Sequence, residues 1–209
     1  MKFYDCKTAP SPRRVRIFLA EKGIELETVQ VDLGSGEQFS AAFRKINPDC
    51  VVPVLELDNG HYISEVVAIC HYLEELYPEP TLFGSTPEER ATVMMWNAKV
   101  EQLGLWAVAE AFRNSVKALT NNALPGPENY LQIPELAERG RKRVGQFFNR
   151  LDGQLADNEF IVGDLYSVAD ISALAAVDFA AWIKIKVPAS ATNLARWHAQ
   201  VSKRPSAAA

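Results

Sequence analysis

Residues 47–77 read NPDCVVPVLELDNGHYISEVVAICHYLEELY, and they carry the most structural information in the chain. Pro53 cannot donate a ladder hydrogen bond, so the apolar run from Val51 to Leu57 is disfavoured as a purely central strand. We expect an edge strand or a cis Val52–Pro53 bond, and the remaining alternative is that Pro53 simply begins a strand. A cis bond would turn the amide and carbonyl of Val52 outward to pair with an extended ligand.

A hairpin is predicted directly after that strand. Asp58, Asn59 and Gly60 separate two apolar segments, and Asn-Gly supplies the positive φ values of a two-residue hairpin turn. The second strand of the hairpin then leads into a helix.

Ser64 is predicted to cap that helix, with Glu65 in its first turn and Pro78 beyond its end. A helix N-terminus offers free N–H groups to an anion, and an adjacent carboxylate offers a partner to an ammonium group. Together they suit an amino-acid zwitterion. The alternative is that Ser64 and Glu65 only cap the helix and complement its dipole.

Composition restricts the class of protein. The 209 residues carry a net charge of −4, which does not favour nucleic-acid binding. The cysteines, Cys6, Cys50 and Cys70, are three in number and lack metal-binding spacing, so we expect reduced thiols and no bound metal. The start, MKFYDCKTAP, has no signal-peptide pattern and no run reaches membrane-span length, so a cytoplasmic protein that makes no contact with a membrane is expected.

Residues 1–80 are predicted to form a thioredoxin-like domain. The pattern gives the order β-α-β-α-β-β-α, which folds most economically as a mixed four-stranded sheet with helices on both faces. The predicted elements before residue 47 are a strand at 1–6, a helix at 12–22 closed by Gly23, a strand at 26–33 and a helical stretch at 37–45.

Residues 87–209 are predicted to form an all-α domain, after a linker rich in proline and small residues. The sequence Ser167-Val-Ala-Asp170 predicts a reciprocal capping box, and the apolar helix after it should form the buried centre of the domain. Asp178 interrupts this helix and is expected at a rim. The predicted helices span about residues 87–119, 133–156, 168–184 and 192–203.

Ser11 stands between the first strand and the first helix and is followed by Pro12, the pattern of an N-cap and a first helical residue. A purely structural cap is one interpretation. A serine at a helix N-terminus could also stabilise a ligand thiolate through its hydroxyl and the helix dipole, and the two roles are compatible.

Taken in order, the thioredoxin-like half, Val52-Pro53, Ser64-Glu65, SVAD at 167–170 and the closing LARWHAQVSKRPS resemble the cytosolic glutathione transferases. The resemblance covers essentially the whole chain. The segments APSPRRVRIFLAEKG and VDLGSGEQF are similar to the bacterial Nu and Beta classes, which use an Asn or Cys where this sequence has Ser11.

The resemblance implies reduced glutathione as co-substrate, no permanently bound cofactor and a homodimer. It implies that Ser11 faces the glutathione sulfur and that Val52, beside Pro53, pairs with the cysteinyl backbone. Gln38 would approach the glycyl end, and Glu65 would meet the γ-glutamyl group.

Three departures from the family pattern affect this site. The serine typical of the Theta, Delta and Zeta classes would align with Ala9 or Pro10, which leaves Ser11 as a candidate one or two positions later. Val66 replaces a serine that many members place after the motif glutamate, so only its backbone N–H remains, and Ser64 would be the residue that compensates through its hydroxyl. Cys50-Val51 replaces the usual Gly-Lys, which removes a cation that would face the glycyl carboxylate. Each loss is expected to cost about 1 to 2 kcal/mol of binding.

An electrophile pocket is implied between the two domains, with Trp106, Phe112 and Trp182 as lining residues. The alternative is that each of these aromatic residues is ordinary core. The three histidines, His61, His71 and His198, are expected to lack a partner that would suggest acid–base chemistry.

The leading hypothesis is conjugation of glutathione to a small hydrophobic electrophile. One alternative is a glutathione-dependent disulfide reductase like the Nu class, suggested by the APSP and GSGEQF segments. The other is a non-catalytic binding protein that retains the fold, suggested by Val66 and Cys50-Val51.

Overall fold

The computed structural model describes all 209 residues, and they form two compact units. The first comprises Met1–Pro80 together with Pro125–Glu128 and Ala209, and the second comprises Thr81–Leu124 and Asn129–Ala208. This division differs from the expected one because Pro125–Glu128, far along the chain, clusters with the first unit.

The first unit contains a four-stranded mixed sheet of order β2-β1-β3-β4. The strands β1 and β2 are parallel, as a crossover through one helix requires, and β3 runs antiparallel to both β1 and β4. The predicted thioredoxin-like arrangement is therefore confirmed. The strands are β1 (Lys2–Asp5), β2 (Glu27–Gln30), β3 (Val54–Glu56) and β4 (Tyr62–Ser64).

Three helices accompany the sheet: α1 (Pro10–Lys22), the short α2 (Phe43–Ile46) and α3 (Val66–Leu76). A 3₁₀ turn at Glu37–Phe39 follows β2. Helix α1 ends as predicted at Gly23. This residue has a φ of 64°, a left-handed conformation that glycine adopts easily because it lacks a β-carbon. Helices α1 and α3 pack together, and their apolar faces supply the core with the side chains of Ile17, Phe18, Ile69, Cys70 and Leu73.

The hairpin between β3 and β4 differs from the predicted two-residue turn. Leu57 N–H donates to the His61 carbonyl at 2.8 Å, and Gly60 N–H donates to the Leu57 carbonyl at 2.9 Å. Gly60 has a φ of 79°, whereas Asn59 has no positive φ. The turn is thus a three-residue loop that ends in a glycine bulge, and the asparagine side chain accepts a hydrogen bond from His61 N–H at 3.0 Å instead.

Pro53 lies immediately before β3, which is an interior strand between β1 and β4. The expectation of an edge strand is wrong, and the expectation of a cis Val52–Pro53 bond is confirmed. Because the ladder begins only at Val54, the missing N–H of the proline removes no strand hydrogen bond.

The second unit is helical, as predicted. Its helices are α4 (Pro87–Val100), α5 (Trp106–Arg113), α6 (Pro134–Gln154), α7 (Val168–Trp182) and α8 (Thr192–Val201). Short 3₁₀ turns occur at Lys117–Leu119 and Pro205–Ala208. No helix of the chain is both long enough and apolar enough to cross a bilayer.

The predicted helix at 87–119 is interrupted rather than continuous. A π-helical turn at Glu101–Leu105 separates α4 from α5. Gly104 in this turn lies so close to Phe147 that a β-carbon would come within 2.6 Å of its ring. The extra residue of the turn rotates α5 relative to α4, which the sequence pattern did not indicate.

Helix α7 forms the buried centre of the second unit, and its first ten residues are all buried. The predicted capping box is present: Asp170 accepts from Ser167 N–H at 3.0 Å, and Ser167 Oγ accepts from Ala169 N–H at 3.3 Å. Asp170 is completely buried, and this burial raises its pKa to about 6 even though four donors surround its carboxylate.

Candidate functional site

Four segments of the first unit meet at one end of its sheet. Tyr4 pairs with Val54, and Val54 pairs with Ser64, so the residues after β1, before β3 and after β4 lie at the same end. The strand β2 is parallel to β1, so the segment after it reaches that end as well. The sheet therefore gathers the N-termini of α1 and α3, the Val52–Pro53 bond and the turn that carries Gln38.

The backbone of Val52 is available to a ligand. Neither its N–H nor its carbonyl makes a hydrogen bond within the chain, although the side chain is buried beside Val54 in an apolar cluster. Pro53, also buried, follows it through a cis bond. An extended peptide could therefore form two main-chain hydrogen bonds at Val52.

Glu65 has a different place from the predicted one. It is the N-cap residue of α3, with φ 70° and ψ 128°, while Ser64 ends β4 and caps nothing. The expectations that Ser64 caps the helix and that Glu65 lies in its first turn are wrong. The exposed carboxylate of Glu65 and the half-buried hydroxyl of Ser64 make no hydrogen bond within the chain.

The N-terminus of α3 lies next to these free groups. Val66 is the first helical residue, and its side chain is only 3% exposed, so it contributes its backbone N–H. Glu65 has a positive φ, which is strained for any residue except glycine and is concentrated at functional positions. A carboxylate, a hydroxyl and a helix N-terminus thus come from three consecutive residues, and groups of these kinds suit a zwitterion.

Ser11 is the second residue of α1, not its N-cap, because the helix begins at Pro10 and Ala9 occupies the cap position. Pro10 and Pro12 have no N–H, and Arg13 N–H already donates to the Ala9 carbonyl at 3.3 Å. Ser11 therefore provides the only free amide of this helix N-terminus. Its hydroxyl makes no hydrogen bond within the chain, so both of its donors remain for an anion.

The hydroxyl of Tyr4, on β1, is already engaged. It donates to Glu56 Oε2 at 2.7 Å, and burial together with this carboxylate raises its pKa. The phenol is therefore not free to donate to a ligand.

Gln38 lies in the 3₁₀ turn after β2, and its Oε1 is buried without a hydrogen-bond partner. An unpaired buried amide oxygen is costly, so a donor supplied by a ligand would be favoured there. The turn itself is held by Glu37, whose carboxylate accepts from Asp32 N–H at 2.7 Å. Hydrogen bonds from Ser35 and Gly34 lower the pKa of the exposed Asp32.

Asn47 is a residue of this end that the sequence did not single out. Its side chain is buried, donates through Nδ2 to the Val51 carbonyl at 2.9 Å and accepts from Asp49 N–H at 3.1 Å. Cys50 N–H donates to the Asn47 carbonyl at 3.0 Å. The Asn-Pro pair before the strand was the signal that could have identified it.

Two of the three predicted pocket aromatics meet in the second unit. The rings of Phe112 and Trp182 lie 5.7 Å apart, and Phe179, which the sequence analysis missed, lies 5.3 Å from Phe112 and 5.1 Å from Trp182. Trp182 is 52% exposed, so it is not ordinary core. Trp106 is 53% exposed on α5 and makes no ring contact.

His198 has a partner, contrary to expectation. Its Nε2 lies 2.7 Å from Asp178 Oδ1, and both side chains are about one-third exposed. Asp178 thus lies at a rim, as expected, and binds a histidine of α8. His, Cys, Asp and Glu side chains form no group of three or more that could hold a metal ion.

Comparison with known proteins shows the family of this chain. Residues 8–76 match the family described as glutathione S-transferase, N-terminal domain, and residues 112–205 match glutathione S-transferase, C-terminal domain. The chain is 36% identical over 209 residues to glutathione S-transferase 2 of Saccharomyces cerevisiae, which covers 99% of this chain and 87% of that protein. The chain therefore belongs to the glutathione S-transferase family of enzymes.

Solved structures of the family superpose closely. A glutathione S-transferase domain-containing protein of Marinobacter aquaeolei VT8 gives a TM-score of 0.91 at 38% identity, with 99% of both chains covered. Gtt2 of S. cerevisiae gives 0.90 at 35% identity, with 99% of this chain and 98% of that one covered. The chain is thus similar to Gtt2, and the narrower likeness to the Nu and Beta classes stays a prediction.

Proposed function

We propose that this protein is a cytoplasmic glutathione transferase that conjugates reduced glutathione to a small hydrophobic electrophile. One observation supports the proposal: donors and acceptors without a partner in the chain lie at one end of the sheet. They are the Val52 backbone, the Glu65 carboxylate, the Val66 N–H and the Ser11 hydroxyl.

Glutathione would bind as an additional extended segment at this end. The cysteinyl backbone would pair with Val52, and the γ-glutamyl ammonium and carboxylate would meet Glu65 and the Val66 N–H. Ser64 would donate its hydroxyl to the same carboxylate. Gln38 would receive a hydrogen bond near the glycyl end, through the Oε1 that is unpaired in the chain.

Ser11 would stabilise the thiolate. A thiol with a pKa near 8.5 is only a few per cent ionised at neutral pH, and lowering that pKa by about two units corresponds to about 2.7 kcal/mol. The Ser11 hydroxyl and amide, at the positive end of the α1 dipole, are the groups able to supply this stabilisation.

The reaction needs no further catalyst. The thiol proton goes to solvent, and the sulfur lone pair forms a new S–C bond with the electrophilic carbon. In a substitution the leaving group departs with the bonding electrons, and in an addition the resulting carbanion takes a proton from solvent. The second unit offers aromatic side chains suited to binding a hydrophobic compound, namely Trp106 and the cluster of Phe112, Phe179 and Trp182.

A homodimer is part of the proposal. Met94 and Met95 are 39% and 45% exposed on α4, and flexible apolar side chains of this kind are typical of association surfaces. Light scattering at micromolar concentration tests it, and a monomeric mass would contradict it.

Calorimetric titration with reduced glutathione is the first test. We expect saturable binding that Glu65→Ala weakens about tenfold or more, because the ammonium loses its only carboxylate. Glu75→Ala, an exposed glutamate near the other end of α3, is the matched control and should bind like the native protein. No heat up to about 10 mM glutathione would reject the proposal.

Turnover should then be measured with a panel of electrophiles. It should include an ether and maleylacetoacetate, because the relatives of this chain include the beta-etherase LigF of Sphingobium (31% identical over 194 residues) and maleylacetoacetate isomerase of Rattus norvegicus (34% over 165). These cover 82% and 76% of this chain.

A further inference from the structure

The direction of the Val52 main-chain N–H and carbonyl depends on the loop that precedes this residue. Both of its main-chain groups are free, so their direction is fixed only by the backbone of residues 47–53. This loop is not a regular element, and Cys50 within it has a φ of 55°. Something other than strand pairing must therefore hold it in shape.

Asn47 is the centre of that loop. Its side chain is only 3% exposed and bonds at both ends, through Nδ2 to the Val51 carbonyl and through Oδ1 to Asp49 N–H, while its carbonyl receives Cys50 N–H. The Nδ2 bond fixes the carbonyl of the peptide unit that joins Val51 to Val52. The same planar unit carries the N–H of Val52, so Asn47 sets the direction of this donor.

A second element lies against the loop. The Pro125–Glu128 segment, named here the strap, clusters with the first unit. Gly126 in the strap has a φ of 121°, and a β-carbon there would lie 3.8 Å from the Asp49 carbonyl oxygen. The strap therefore passes beside the residue that Asn47 also binds.

The residues that precede and follow the strap in the chain are hydrogen-bonded to one another within the second unit. Ala123 N–H donates to the Tyr130 carbonyl and Tyr130 N–H donates to the Asn121 carbonyl, both at 3.0 Å. Arg113 Nη2 donates to the Leu124 carbonyl at 2.8 Å. Two prolines flank Gly126 and restrict the backbone further.

We propose that Asn47 and the strap are positioning elements of the glutathione site, which hold the Asp49–Val52 backbone so that Val52 presents its N–H and carbonyl to the cysteinyl part of glutathione. This inference rests on the proposed function. A loop held in its bound conformation binds more tightly, because less freedom is lost on association. Both elements should therefore affect the binding of glutathione and leave the binding of the electrophile unchanged.

Asn47 is tested with two variants. Asn47→Ala removes both side-chain hydrogen bonds, whereas Asn47→Asp keeps the acceptor for Asp49 N–H and replaces the donor to Val51 with an oxygen. We expect each to raise the Kd and the KM for glutathione by about tenfold, with the KM for the electrophile unchanged at saturating glutathione.

Asn59→Ala is the matched control. Asn59 makes the same kind of hydrogen bond, from His61 N–H at 3.0 Å, but in the hairpin at the other end of β3. This variant should lose a comparable local contact and keep the native Kd for glutathione. The comparison separates loss of positioning from general loosening of the first unit.

The strap is tested with Gly126→Ala, which forces a β-carbon onto a φ of 121°. We expect the Kd for glutathione to rise about threefold to tenfold. Gly163→Ala, at a φ of 64° in the second unit and with nothing within 4 Å, also places alanine at a positive φ, although in the left-handed region that alanine can adopt at lower cost, and it should leave the Kd unchanged.

The outcomes are distinguishable. If the native protein binds glutathione and the Asn47 variants bind within twofold of it, the positioning role is wrong while the proposed function stands. If the Asn47 variants are weak but Gly126→Ala binds like Gly163→Ala, the strap has no such role. If the native protein does not bind glutathione, the proposed function fails first and this inference fails with it.

Discussion

The indole Nε1 of Trp197 donates a hydrogen bond of 2.9 Å to Oδ1 of Asp170, and both side chains are completely buried in the helical unit. Ile161 N–H donates to the same oxygen at 3.0 Å, and Ser167 donates its N–H and hydroxyl to Oδ2. One carboxylate therefore joins the start of α7, the segment before it and α8.

Trp197→Phe should destabilise the helical unit by about 2 to 4 kcal/mol, because it removes a donor to a buried carboxylate and leaves a cavity. Urea unfolding at pH 7 measures this. Trp106→Phe, at a side chain that is 53% exposed, is the control and should stay within about 0.5 kcal/mol of the native protein. Equal effects of the two variants would show that the hydrogen bond contributes little.

Asp170 should also make stability depend on pH. Its folded pKa of about 6 lies above its ordinary value of 3.8, so between these values the folded state binds more protons than the unfolded state. The contribution of Asp170 to stability is therefore fully present below about pH 4 and is lost as the pH rises to about 6, by about 3 kcal/mol in total.

Asp170→Asn removes this ionisation. The difference in unfolding free energy between the native protein and the variant should therefore be larger at pH 4.5 than at pH 7, and urea titrations at several pH values measure it. A difference that does not change with pH would contradict a raised pKa.

Gly140 and Gly145 lie on the same helix, α6, and should respond oppositely to alanine. A β-carbon at Gly140 would come within 2.7 Å of Ala111 N and 2.8 Å of the Ala107 carbonyl oxygen, whereas one at Gly145 meets nothing within 4 Å. We expect Gly140→Ala to destabilise by about 2 kcal/mol or more and Gly145→Ala to stabilise by about 0.5 to 1 kcal/mol. Thermal unfolding of the two variants measures these changes in stability. A Gly140→Ala protein as stable as the native one would exclude this close packing of α5 on α6.

Ser11→Ala should raise the pKa of the bound glutathione thiol by about one unit, because the thiolate loses a hydroxyl donor at the helix N-terminus. The kcat/KM should therefore fall about tenfold at pH 6.5 and approach the native value above about pH 9. Ultraviolet absorbance of the bound thiolate against pH gives the pKa directly. Ser11→Thr keeps the hydroxyl and should retain the native profile, and an unchanged profile in Ser11→Ala would reject the role.

Glu65 combines the carboxylate that we propose binds glutathione with a strained backbone, and two substitutions separate the two effects. Glu65→Ala and Glu65→Gly should weaken glutathione binding equally, since both remove the carboxylate. Glu65→Gly should be about 1 kcal/mol more stable than Glu65→Ala, because glycine adopts the φ of 70° without cost. Equal stabilities would show that the N-cap conformation is not strained.

Much of the fold follows from local pattern. The strand and helix order of the first unit, the stop at Gly23 and the capping box at Ser167 and Asp170 depend on periodicity and on the chemistry of single residues. The exact first residues of the helices did not follow from local pattern. Serine is a favoured N-cap residue, so Ser11 and Ser64 were the expected caps. The N-cap positions of α1 and α3 are instead occupied by Ala9 and Glu65.

The N-cap is the residue that flanks the helix with non-helical backbone angles. Which residue adopts those angles depends on how the helix packs, and not only on its side chain. The same holds for side-chain partners. Nothing in the spacing of Asp178 and His198 predicts their contact, and the ring cluster of Phe112, Phe179 and Trp182 joins two helices far apart in sequence.

Periodicity and intrinsic backbone preference were enough to predict the two-part architecture, the cis Val52–Pro53 bond as an alternative and the residue types at the end of the sheet. Contacts in the folded chain were needed to establish that the Val52 backbone, the Ser11 donors and the Glu65 carboxylate are free and lie at one end. Register and the competition among hydrogen-bond partners are set by contacts between distant segments, and no local pattern encodes them.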